Sequence, residues 1–282
     1  MRPQRTLENE VEVSGIALHG GGPVRALLQP AAPNAGVTFS CGGVTIPARV
    51  EHVVDTQLAT TLGVDGVRVR TVEHLLSTLY GLGLDNVNVV VDGDELPVLD
   101  GCGAEWIAHI QTAGMVEQQA PIQRFIIKKP VEIQDGDRWA RLEPAETTTL
   151  DITIDFDHPH VGHQHLALEL GPHTFAAELA WARTFGFEHM VPAMQRMGLV
   201  RGGSLENALV FGAAGPLNEG GLRAPDEPVR HKVLDALGDL ALLGHPVTGR
   251  LVAERPGHGI IFQLMQAVMS DTESWVIPSP SA

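Results

Sequence analysis

Two cysteines in 282 residues, Cys41 and Cys102, are too few for a disulfide scaffold or a cysteine-type zinc site, and no spacing pairs them. A reducing, cytoplasmic setting is the expectation. Positive charge is also scarce: 19 Lys and Arg stand against 34 Asp and Glu, a formal net charge of −15. With no basic tail or block, neither nucleic acid nor an anionic membrane surface is expected as the main partner. An anionic small substrate stays open, because a few local Arg or Lys suffice. No uninterrupted apolar stretch approaches membrane-spanning length. The first six residues, Met1 to Thr6, have no apolar run behind their charges and do not read as a secretory signal.

What is present reads as globular. Hydrophobic content is 44% and charged content 19%, away from the disordered range. The length suits one large domain or two ordinary ones. The 13 His exceed what a chain of this size needs, so some are expected to be chemical.

Alternation predicts strands at 8–13 and 23–29, short strands at 45–49, 57–62 and 66–70, and an apolar strand over 86–91. Thr71 as N-cap and Gly81 as stop predict a helix carrying Glu73 and His74 in its first turn. A second helix is expected over 103–114. The polar, aperiodic stretch after it, 117–123, is expected to link an N-terminal domain, 1–116, to a C-terminal one, 124–282. The second half opens with strands at 124–134, 138–143 and 148–156, with a hairpin turn at Asp135-Gly136. Helices are expected at 173–180, 187–198, 227–243 and 260–270, and strands at 206–211 and 251–253. Asp226 is the expected cap of the helix 227–243 and Gly244 its stop. Both halves thus run strands, helix, strand, glycine loop, helix. The expected class is α+β, two similar domains with β-sheet layered against two helices. If the halves arose by duplication, the helix of His74 corresponds to the helix of His231.

The helix 227–243 carries the chemistry. His231, Asp235 and Asp239 recur every four residues and share one face, between apolar Val233, Leu234, Ala236 and Leu237. Polar groups on a greasy helix are costly unless they bind something. His and Asp at i, i+4 make half a metal site. His74 completes three protein ligands, the pattern of a catalytic zinc ion that keeps a water. Taken alone, Glu73 beside His74 reads more readily as a capping-box carboxylate next to a packed His. Adjoining a ligand, it can take a proton from water. Lys232 can stabilise an oxyanion. His258, between Gly257 and Gly259, can reach a cleft from a loop. The His-rich loop His158–His165 reads as adventitious metal binding at most. Met190, Val191, Met194 and Met197 form a stripe that is core or the lining of an apolar slot.

Several segments carry a resemblance: Thr71-Val72-Glu73-His74-Leu75, Gly81-Leu82-Gly83-Leu84-Asp85-Asn86, Pro97-Val98-Leu99-Asp100-Gly101, Ala182-Arg183-Thr184-Phe185-Gly186-Phe187, Gly202-Gly203-Ser204-Leu205 and Arg230-His231-Lys232-Val233-Leu234-Asp235-Ala236-Leu237-Gly238-Asp239-Leu240. With Gln4-Arg5-Thr6-Leu7 and Gly15-Ile16-Ala17-Leu18-His19 before them and Gly257-His258 after, they run in unbroken order over nearly the whole chain. The sequence resembles the zinc-dependent UDP-3-O-acyl-N-acetylglucosamine deacetylases of lipid A synthesis. The resemblance implies an active site between two domains, with one Zn2+ on His74, His231 and Asp235. It implies Glu73 as general base, and His258 as general acid oriented by Asp239. It gives Thr184 and Lys232 roles around the carbonyl and sugar, and it stacks Phe185 on the glucosamine. Asp155 and Phe156 fall to the uracil, Arg138 and Arg255 to the diphosphate. Leu18, Val191, Met194 and Val210 fall where the family holds its acyl chain. The implied partner is UDP-3-O-acyl-N-acetylglucosamine, met by a monomer with at most transient membrane contact. One departure stands out: Cys102 occupies a position where the family commonly has a small hydroxyl residue. Two rivals remain at this point, an amidohydrolase acting on another acylated amino sugar and a non-catalytic sugar-nucleotide or structural metal protein.

Overall fold

The computed structural model describes residues 2–171 and 173–279. The N-terminal half comprises β1 (Pro3–Leu7), β2 (Val11–Ile16), β3 (Pro23–Pro30), β4 (Val37–Cys41), β5 (Val44–Pro47), β6 (Val53–Asp55), β7 (Thr61–Val64), β8 (Val67–Arg70), α1 (Glu73–Leu82), β9 (Val87–Asp92), α2 (Ala104–Ala113) and β10 (Met115–Pro121). The C-terminal half comprises β11 (Phe125–Ile127), β12 (Val131–Asp135), β13 (Arg138–Glu143), β14 (Thr148–Phe156), β15 (Gly162–Glu169), β16 (Phe185–Phe187), α3 (Val191–Arg196), β17 (Leu209–Gly212), β18 (Gly215–Pro216), α4 (Glu227–Leu240), β19 (Val247–Glu254), α5 (His258–Ser270) and β20 (Trp275–Val276).

The two halves share one sheet plan. In the first, the strand order is β2-β3-β9-β4-β5, with β9 antiparallel to β3 and parallel to β4. In the second, a seven-stranded sheet, five strands run β12-β13-β19-β14-β15, with β19 antiparallel to β13 and parallel to β14, while β11 pairs parallel with the start of β19 and antiparallel with β20. Each half is therefore two hairpins flanking one late central strand, which follows a helix (α1 or α4) and precedes another (α2 or α5). The correspondence between the helices of His74 and His231 is borne out by this topology. What differs is the insertion between second hairpin and helix. The first half inserts the three-stranded β6-β7-β8; the second inserts α3 and the small sheet β16-β17-β18.

Strand alternation builds the cores. Val24, Ala26 and Leu28 of β3, Phe39 of β4 and Val87, Val89 and Val91 of β9 are buried on one face. Leu150, Ile152 and Ile154 of β14 and Leu251 and Ala253 of β19 do the same in the second sheet. Each such large aliphatic side chain contributes roughly 1.5–3 kcal/mol on burial. α4 and α5 lie on the second sheet, and α1 packs against α4, so this helix pair is the seam between halves.

Several expectations change. The segment 117–123 is not a free linker: Met115–Pro121 is β10, antiparallel to β1. It lacks an apolar stripe because the ribbon covers polar groups. The Asn86 amide donates to Gln4 and Gln118 beneath it. The stretch 173–180 holds only a five-residue π-helical turn, Phe175–Leu179, and 187–198 only a 3-10 turn followed by the six-residue α3. The Met stripe is not core: Met190 is 43% and Met197 62% exposed. The His-rich segment is half strand, since His163 and His165 lie on β15, and His165 bonds Asp151 at 2.7 Å.

Candidate active site

The seam forms because Gly238 of α4 has no side chain. A Cβ there would lie 2.1 Å from the Glu73 carbonyl oxygen, so the two helices touch backbone to backbone. This contact sets the first turn of α1, with Glu73 and His74, against the stretch of α4 bearing Asp235 and Asp239. Thr71 does not cap α1. It sits at φ +60° and its hydroxyl donates to Glu95. Gly81 does not stop the helix either: it lies inside it, where Phe175 packs, and Gly83 at φ +70° ends it. Asp226 makes no capping bond to α4 and pairs with Arg230.

His74, His231 and Asp235 come together. One ligand atom from each lies within 4.8 Å of the others, all three side chains being buried. Asp235 Oδ1 is 3.2 Å from His231 Nε2 and 3.5 Å from His74 Nε2. The His231 Nδ1–H donates to the Ala182 carbonyl at 3.0 Å, which leaves Nε2 as the lone-pair nitrogen. Among the described residues that Nε2 and Asp235 Oδ1 have no hydrogen-bond partner although buried. Orphaned acceptors facing one another are expensive unless a cation lies between them. Burial pushes His231 below its usual pKa, toward the neutral form a ligand needs. Asp235 resists burial and stays well below the usual carboxylate range, held by His231 and by Lys232. Two imidazoles and one carboxylate fit zinc.

Beside them lie a buried carboxyl group and a buried imidazole, Glu73 and His258. Glu73 is 3% exposed and its Oε2 accepts the Thr60 amide at 3.0 Å. Burial raises its pKa, opposed by His258 and His74. His258 Nε2 faces Glu73 Oε1 at 3.8 Å, while Nδ1 bonds Asp239 Oδ2 at 2.7 Å. Burial alone would lower His258, but the Asp239 charge and hydrogen bond prevail and raise it to about 9. His258 is not a loop residue as expected. It is the first residue of α5 and is buried, so its aim is fixed. Asp239 sits in the last turn of α4, the wrong end of the helix dipole for a carboxylate. Its bonds to Thr60 and His258 compensate.

The remaining candidates surround this centre. Lys232 Nζ donates to Asp235 Oδ2 at 2.7 Å and lies 5.7 Å above the Phe185 ring. Phe185 meets Phe156 edge-on at 5.4 Å. Thr184, next to Phe185, is pinned by its amide to the Gly101 carbonyl at 2.7 Å. Gly101 allows this approach, since a Cβ there would lie 2.2 Å from the Asn207 carbonyl oxygen. Asp155 is exposed at the end of β14. Arg138 is exposed, and Arg255 is ion-paired with Asp137. Val191 and Met194 are half-buried on α3, and Val210 pairs with Gly186 across β17 and β16. Leu18 is buried in a turn that bonds the 200–203 turn, its carbonyl accepting from Gly202.

Sequence reasoning missed Thr60, which contacts Glu73, Asp239 and His258, and the Ala182 carbonyl that sets the His231 tautomer. It also missed the buried Arg183–Glu227 pair, whose two-pronged contact at 2.8 and 3.0 Å locks the segment before Thr184 onto α4. Only the last had a signal, an Arg in the Ala-Arg-Thr-Phe-Gly-Phe segment.

Comparison with known proteins shows the family. The LpxC family model, UDP-3-O-acyl N-acetylglycosamine deacetylase, matches residues 4–270. A UDP-3-O-acyl-N-acetylglucosamine deacetylase of Myxococcus xanthus is 48% identical over 285 residues, covering 98% of this chain and 91% of the relative. One from Anaeromyxobacter dehalogenans is 48% identical over 270 residues, covering 95% and 88%. One from Acidithiobacillus ferrooxidans is 47% identical over 279 residues, covering 96% and 91%. A match of this length and identity settles ancestry, and the chain belongs to the LpxC family of deacetylases, hydrolases of lipid A biosynthesis.

Proposed function

We propose that this protein hydrolyses the acetamide of UDP-3-O-acyl-N-acetylglucosamine, using one zinc ion held by His74, His231 and Asp235. The observation that carries the reading is the pairing of buried, partnerless metal-facing atoms with a base and a charged acid a few ångströms away. Zinc bound there supplies Lewis acidity, lowering the pKa of a water to roughly 7 and polarising a carbonyl.

The chain's own residues do the rest. Glu73 accepts the proton of the attacking water through Oε1, the oxygen not bonded to Thr60. Lys232 and Thr184 stand near the carbonyl oxygen as it gains charge. Amide nitrogen leaves only with a proton, and His258 Nε2 delivers it, kept charged by Asp239. Phe185 and Phe156 offer flat faces for the sugar and uracil, and Asp155 a hydrogen-bond acceptor to the base. Arg138 and Arg255 supply positive charge for the diphosphate, Arg255 after releasing Asp137. Leu18, Val191, Met194 and Val210 line the acyl-chain site. Among the described residues no helix is long and apolar enough to cross a membrane. We take the working form to be a cytoplasmic monomer with no nucleic-acid partner and at most transient membrane contact.

The test is metal analysis with acetate release from the UDP-linked substrate. One zinc per chain and turnover are expected, and Glu73→Gln should keep the metal while losing at least about 100-fold in kcat. Near-normal turnover by Glu73→Gln removes the base assignment. Zinc bound without acetate release removes the enzymatic reading.

A further inference from the structure

We propose that Thr60 is a positioning residue that couples the general base to the general acid, its amide holding Glu73 and its hydroxyl holding the Asp239–His258 pair. This rests on the deacetylase reading above. Thr60 is 2% exposed and directly precedes β7, in the three-stranded insertion that the first half has and the second lacks. Its carbonyl accepts the Val72 amide, which ties it to the start of α1. Its own amide donates to Glu73 Oε2 at 3.0 Å, and its hydroxyl lies 2.6 Å from Asp239 Oδ1 and 3.2 Å from His258 Nδ1.

These contacts have directional consequences. The hydroxyl has one proton, and ionised Asp239 only accepts, so the proton goes to Oδ1. Oδ2 is then the oxygen that takes the Nδ1–H of His258, and Nε2 is left facing Glu73 Oε1. The amide bond to Oε2 likewise leaves Oε1 as the free oxygen of the base. One residue thus selects which oxygen of the base and which nitrogen of the acid face the substrate. A threonine that merely filled space would be replaceable by valine, which has the same shape. Here valine would leave a buried Asp239 oxygen without its donor. The asymmetry of the fold gains a reason as well. The halves share a sheet plan, and the insertion β6-β7-β8 carries the group that ties α1 to α4 chemically across the seam.

The experiment uses the full, zinc-loaded chain with UDP-3-O-acyl-N-acetylglucosamine. Thr60→Val removes only the hydroxyl; Thr60→Ser keeps it and removes a methyl. Thr60→Val should lower kcat about 10- to 100-fold, with KM within about twofold and zinc content unchanged. Thr60→Ser should recover most of the loss. Glu73→Gln and Asp239→Asn are measured alongside. Wild-type kcat in Thr60→Val, with both of those inactive, overturns the role of Thr60 alone. An active Glu73→Gln overturns the reading of the site instead. Should Thr60→Val not fold, Thr60→Ala and Thr60→Ser differ in the same hydroxyl, and equal kcat in that pair overturns the proposal.

Discussion

At the scale of the residue, His258 shows how one neighbour decides a group's chemistry. Burial disfavours its charged form, yet Asp239 at 2.7 Å raises it to about 9, above the usual 6.5 or so. His258 is therefore charged throughout the neutral range, and in its proposed role as the acid it should make kcat/KM fall as pH rises past about 9. Asp239→Asn removes the largest of the charges that oppose burial and leaves only those of Glu73 and Asp235, so that alkaline limb should move to lower pH. A pH profile whose limb does not move in Asp239→Asn excludes His258 as the titrating acid. The same shift has a stability sign. Because the folded pKa is raised, the contribution is complete below the unfolded value and is lost as pH climbs through about 9. Cys102 gives a contrasting expectation. Burial, then Asp100, pushes its thiol up to about 12, and its Sγ donates to Asp100 Oδ2 at 3.2 Å and accepts the Ala104 amide at 3.4 Å. A serine hydroxyl can do both, so Cys102→Ser should change stability by less than about 1 kcal/mol and leave kcat alone, as melting and acetate release would show. The candidate ligands on α4, His231 and Asp235, were legible in sequence because i, i+4 spacing is local. Thr60 was not, because its partners Asp239 and His258 lie 179 and 198 residues away and part of its contribution is a backbone amide.

At the scale of the element, the seam between α1 and α4 depends on a missing side chain. Gly238→Ala would place a methyl 2.1 Å from the Glu73 carbonyl oxygen and 2.9 Å from its Cα. Neither partner is a flexible side-chain end, so the helices must separate. Overpacking of this kind costs typically 1–3 kcal/mol. Glu73 also moves relative to Asp239, so activity should fall further than stability. Comparing thermal melts with kcat checks this, and an alanine variant of normal activity would show that the contact does not set the site. Helix periodicity gave α4 from sequence alone, but the helix ends at Leu240, and a 3-10 turn, Ala241–Leu243, carries the chain on to Gly244. It failed at β10, whose buried partners are amides rather than apolar groups. It also failed at α3, where the apolar stripe runs past both ends of a six-residue helix, onto exposed Met190 and Met197.

At the scale of the whole molecule, two copies of one sheet plan face each other through α1 and α4, and the three residues proposed to hold the metal are divided between them. His74 belongs to the first half, His231 and Asp235 to the second. A zinc ion bound to all three is thus a cross-link between halves, and it binds the folded chain far better than the unfolded one. At a free concentration 1,000 times its Kd, such a ligand stabilises by about 4 kcal/mol. For a chain of this size each kcal/mol is worth roughly 2–4 °C. Removing zinc with a chelator should therefore lower Tm by on the order of 10 °C, and adding it back should restore the loss. His74→Ala keeps two of the three ligands, both in the second half, and should lose most of that zinc-dependent rise. A ligand set confined to one half predicts otherwise: zinc would then stabilise the His74→Ala protein as much as the unaltered one. That outcome, seen in paired melts with and without chelator, would remove His74 from the site and with it the idea that the metal joins the halves.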